Sequence, residues 1–65
     1  MNQERRTKVQ EALDIVMECL EEETTSLENL PESFQNSEKG EKMQEHIDNL
    51  QTAQDALEEV VNDGN

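Results

Sequence analysis

Val9, Leu13, Val16, Leu20 and Leu27 follow one another at steps of 4, 3, 4 and 7, the spacing that keeps side chains on one stripe of an α-helix. With Leu13 at 0° and about 100° per residue, these positions, Ala12 and Met17 fall in an arc from about −100° to +40°. Glu11, Asp14, Glu18, Glu21, Glu22 and Glu28 fall between about 60° and 180°. A first helix is therefore predicted over residues 3–29, apolar on one side and acidic on the other.

The second half repeats the design. Met43, Ile47, Leu50, Leu57 and Val61 step by 4, 3, 7 and 4, with Gln54 at the skipped position. Ala53 and Val60 widen this stripe, while Glu41, Glu45, Asp48, Asp55 and Glu59 lie opposite. A second helix is predicted over 38–62, with Asn62-Asp63-Gly64 as a C-terminal stop, since asparagine and glycine tolerate the left-handed conformation. Between the helices, residues 30–37 form a corner. Pro31 disfavours helix at Leu30 and suits the first position of a new turn. Ser33 or Ser37 is the expected cap of the second helix, and Gly40 inside its first turns costs about 1 kcal/mol against alanine. Leu30 and Phe34, four residues apart, are expected to plug the open end.

These elements make one all-α domain over residues 1–65, an antiparallel helical hairpin. Each apolar arc is broader than a single helix–helix seam covers, and Ile15, Cys19 and Ala56 broaden it further. Two hairpins are therefore expected to dimerise into a four-helix bundle around Leu13, Val16, Leu20, Ile47, Leu50, Gln54 and Leu57, because so short a chain has neither disulfide nor metal to reinforce its core.

Composition sharpens this picture. Only 31% of the residues are hydrophobic and Phe34 is the single aromatic, which argues against a β-sandwich or barrel. Low hydropathy with high charge also fits disorder, but the regular apolar spacing favours folding. The formal net charge of −12 opposes direct binding to a phosphate backbone. No apolar run has the length of a signal peptide or membrane span, and the single cysteine fits a reducing compartment, so a cytoplasmic location is expected.

Catalytic and metal chemistry find little support. Cys19 lacks an evident base and oxyanion donor and reads as a small flanking hydrophobe. His46 has Met43 three residues before it, where a di-iron bundle has glutamate, so it reads as an imidazole at the bundle edge. Glu21-Glu22-Glu23 lacks the alternating oxygen ligands and central glycine of a calcium loop. No catalytic residue, cofactor or metal is expected, and the chain is read as no enzyme. Gln54 is either a polar layer that fixes register or a glutamine reaching sideways to water. Glu23 could pair with Lys39 or Lys42, although a solvated place at the seam's edge is preferred.

The charge is one-sided: no Lys or Arg occurs from residue 9 to 38 or from 43 to 65. A merely soluble helix commonly mixes both signs. Glu11, Asp14, Glu18, Glu21 and Glu22 are accordingly the candidate surface for docking on a basic groove of a partner protein, with a simple solvated face as the alternative.

The segment Asn29-Leu-Pro-Glu-Ser-Phe-Gln-Asn-Ser-Glu-Lys-Gly-Glu-Lys-Met43, continuing through Ile47-Asp-Asn-Leu50 and Ala53 to Leu57, resembles short acidic proteins of phages, prophages and mobile elements of Gram-positive bacteria. The Leu-Pro-Glu-Ser corner is its most specific part. The resemblance implies a small accessory factor in the cytoplasm of a bacterial host, such as an inhibitor of a host defence or DNA-processing protein, and carries no assigned residue roles. The expected function is a non-enzymatic, homodimeric protein-binding module. Its rival is a phage structural or assembly adaptor that oligomerises through Ile15, Cys19 and Ala56.

Overall fold

The computed structural model describes residues 1–62 and contains α1 (Gln3–Glu28), α2 (Glu32–Gln35) and α3 (Glu38–Asn62). Asn2 starts α1 by accepting a 2.8 Å hydrogen bond from the Arg5 amide on its Oδ1, which satisfies one of the amides a helix start leaves unpaired. At the other end the Asn29 amide bonds to the Thr25 carbonyl at 3.0 Å and the Leu30 amide to the Leu27 carbonyl at 3.1 Å. Pro31 then prevents continuation.

Where a plain corner is expected, the chain makes one more helical turn. Pro31 precedes α2 rather than occupying its first position, and its carbonyl accepts from the Phe34 and Gln35 amides at 2.8 and 3.2 Å. The Gln35 side chain donates to the Leu30 carbonyl at 2.9 Å and so ties α2 to the end of α1. Ser37, not Ser33, caps α3. Its hydroxyl donates to the Phe34 carbonyl and accepts from the Gly40 amide at 3.4 Å.

Gly40 is buried against this turn. A Cβ built on it would stand 2.1 Å from the Gln35 carbonyl oxygen and 2.7 Å from that of Phe34. Its small size is therefore what lets α3 start so close beneath α2, and the expected propensity cost is the lesser effect. Phe34, in contrast, plugs nothing: it is 53% exposed, because α2 turns its ring outward while Leu30 is half-buried.

The two long helices lie side by side in a rod of 48 × 14 × 12 Å. Their antiparallel order follows from three juxtapositions. Val61 borders a groove with Arg6 and Gln10, Glu23 contacts His46, and Leu27 shares a groove with Gly40. The seam repeats at alternating steps of three and four. On α1 it comprises Arg6, Val9, Leu13, Val16, Leu20, Glu23 or Thr24, and Leu27; on α3 it comprises Gly40, Met43, Ile47, Leu50, Gln54, Leu57 and Val61. That is the geometry of a short coiled coil.

The core is slight. Leu13, 5% exposed, is the one buried hydrophobic residue among those described, while Val16, Leu20, Ile47, Leu50, Gln54 and Leu57 are half-buried. Ala12 and Met17 were expected on the buried arc but stand exposed, Met17 at 43%, because one facing helix covers a narrower strip than the arc the sequence offers. Val60 likewise remains 37% exposed. Helix α3 runs to Asn62, and the expected stop at Asp63-Gly64 lies outside the described residues.

Candidate functional site

The seam divides the exposed surface of the rod into two unlike sides. Residues on one side of α1 meet residues on the corresponding side of α3: Cys19 and Glu23 line a groove of about 430 Å³ with His46, Asn49 and Leu50. Extending the helical geometry from that groove places Ala12, Ile15 and Cys19 of α1 beside Asn49, Ala53, Ala56 and Val60 of α3. This side carries no charge between Lys8 and Glu22 on α1, or between His46 and Asn62 on α3.

The other side is acidic, and four of its carboxylates are held in a repeated way. Gln10 donates to Asp14 at 3.0 Å, Gln44 to Asp48 at 3.0 Å, Gln51 to Asp55 at 3.1 Å and Gln54 to Glu58 at 2.8 Å. Each pair spans four residues, so donor and acceptor are neighbours one turn apart. A neutral amide orients each of these four carboxylates where lysine would have cancelled its charge. The central stretch therefore keeps its full negative charge, while Arg5, Arg6 and Lys8 cluster at one end of the rod and Lys39 and Lys42 at the other.

Three of the five candidate docking residues come together. Glu18, Glu21 and Glu22 line a shallow depression of about 480 Å³ on the outer surface of α1, with Thr25 and Ser26. Asp14 stands one turn before them, bonded to Gln10. Glu11 lies further toward the amino-terminal end, against a separate depression with Gln3, Arg6, Thr7, Gln10 and Val61. A Gln four residues before an Asp or Glu is the sequence signal of these pairs.

Among the described residues, one carboxylate–imidazole contact joins the two long helices. His46 Nδ1 lies 3.5 Å from Glu23 Oε2, with the side chains 60% and 29% exposed respectively. Glu23 thus pairs with the imidazole across the seam rather than with Lys39 or Lys42, which lie nearer the corner. Lys8 lies 3.6 Å from Glu4 on the solvated end of α1. Gln54 sits half-buried in the seam and turns its amide sideways to Glu58.

Cys19 is exposed and unbridged. No group of three or more His, Cys, Asp or Glu side chains among the described residues is placed to hold a metal ion, and no helix among them is long and apolar enough to cross a membrane. No protein-family model, curated protein or solved structure matches the chain.

Proposed function

We propose that this chain is a non-enzymatic acidic binding module, a hairpin that pairs with a second copy into a four-helix bundle and docks its carboxylates on a basic surface of another protein. The observation carrying this reading is the repeated pairing of glutamine with the acid four residues on. A surface serving solubility alone commonly intersperses both signs, and lysine at those positions would support the helix as well as glutamine does. Carboxylates already oriented lose less side-chain entropy when they meet arginine or lysine, and an undiluted negative field accelerates encounter with a cationic groove.

Pairing of two copies is supported by the thin core. With Leu13 alone buried among the described hydrophobic residues, one hairpin falls short of the burial that stabilises a small domain. The resemblance to short acidic phage proteins supports a bacterial host cytoplasm as the setting. It also supports a host defence or DNA-processing protein as the partner, inhibited through occupation of its basic groove.

The test is capture of host proteins by tagged wild-type chain and by an E18K/E21K variant of equal helicity. A partner of basic surface retained by the first and lost by the second supports the reading; equal retention by both contradicts it. A second reading, an assembly adaptor, is favoured by the exposure of Ile15 at 61% and Phe34 at 53%. Light scattering separates the two: the binding module stays a closed dimer, whereas an adaptor grows with concentration.

A further inference from the structure

We infer that two copies stack through the uncharged side of the rod, with α1 running antiparallel to α1 of the second copy about a twofold axis level with Ile15. The inference rests on the dimer proposed above and specifies which surface forms it and in what orientation.

The first support is a second heptad stripe on α1, separate from the seam. Lys8, Ala12, Ile15, Cys19 and Glu22 are spaced 4, 3, 4 and 3, and all are exposed. Turned end for end about Ile15, the stripe falls on itself with opposite charges matched. Lys8 meets Glu22 of the second copy, Ala12 meets Cys19, and Ile15 meets its own counterpart. An isologous interface requires this self-complementarity.

Helix α3 supplies the second support. Asn49, Ala53, Ala56 and Val60 are spaced 4, 3 and 4. Reversal about the midpoint of that stripe sets Ala53 against Ala56 and Asn49 against Val60, with small side chains at the centre where two backbones approach most closely. The Glu23–His46 contact fixes the register of the two long helices. Counted outward from it, Ile15 lies level with Gln54, within a residue of the α3 midpoint. Both helices therefore reverse about the same level, which seam packing within one hairpin does not require.

Charge chooses the orientation. If α1 stacked on α3 of the second copy, Lys8 would stand level with Val61 and Glu22 with Ile47, neither of opposite charge. The antiparallel α1 pair instead sets Lys8 of each copy against Glu22 of the other. Such exposed pairs set orientation and register more than affinity.

A disulfide test is direct because Cys19 is the only cysteine. Within one helix, positions 12 and 19 are about 10 Å apart, beyond the reach of a disulfide, so A12C can bridge Cys19 only between copies. Under mild oxidation at micromolar concentration, A12C is expected to form a reducible covalent dimer at least about tenfold faster than wild type or A12C/C19S, whose single cysteines lie two turns from their mates. Sedimentation of the reduced A12C protein separates the failures. A dimer that cross-links no faster than the controls overturns the orientation and leaves the dimer standing; a monomer overturns both.

Discussion

Gly40 and Gln35 touch so closely that a single added carbon on Gly40 would sit 2.1 Å from the Gln35 carbonyl oxygen. Helix propensity and packing therefore make opposite forecasts for Gly40→Ala. Propensity alone stabilises α3 by about 1 kcal/mol. The clash is with backbone, which cannot rotate aside, and forcing the corner open costs about 1–3 kcal/mol. Urea denaturation should show net destabilisation of Gly40→Ala; a raised midpoint would contradict the corner geometry.

Leu13 and Ile15 divide what one hairpin buries from what two bury. Leu13 is 5% exposed, so Leu13→Ala should cost about 2–5 kcal/mol. Ile15 is 61% exposed in the single chain, and Ile15→Ala should be nearly neutral if the hairpin acts alone. With the uncharged sides stacked, the same change should cost about 1–3 kcal/mol and make the melting temperature less dependent on concentration, because fewer copies remain paired. Thermal melts at several concentrations read both effects.

Gln51→Lys isolates the meaning of the glutamine–acid pairs. Lysine can still reach Asp55, so helix content should be retained and stability should change by less than about 0.5 kcal/mol. Partner affinity should nonetheless fall, because the substitution cancels charge on the acidic side. Circular dichroism and titration calorimetry with the captured partner check the two halves, and unchanged affinity would count against docking through this side.

Salt should act in opposite directions on the two associations. Each copy carries a formal charge of −12, so self-association should tighten as ionic strength rises and repulsion is screened. Docking on a basic partner should weaken under the same change, chiefly through slower association. Parallel binding measurements at low and high salt provide the check, and a common direction would contradict the assignment of the two sides.

How far the residues announced this arrangement depends on the kind of signal each carries. Leu13, Val16, Leu20, Ile47, Leu50 and Leu57 were legible because a 3.6-residue period survives folding unchanged. The corner was less legible. Whether Gly40 is a cost or a necessity depends on where the Gln35 carbonyl lands, and no local pattern encodes that distance. Glu23 illustrates the same limit: its partner His46 follows from the register between helices, which neither a solvated place at the seam's edge nor a pairing with Lys39 or Lys42 encodes. For the candidate site, charge asymmetry is plain in the composition, but the separation into an uncharged and an acidic side depends on the register that places Cys19 and His46 on the same side of the seam.

The pairing of copies through the uncharged side is the claim on which the rest turns, and sedimentation equilibrium of wild type beside Ile15→Glu tests it most directly. At micromolar concentration the wild-type chain should sediment at twice its 7.5 kDa mass, and Ile15→Glu should sediment as a helical monomer. A wild-type chain that remains a stable, folded particle of 7.5 kDa would contradict the account.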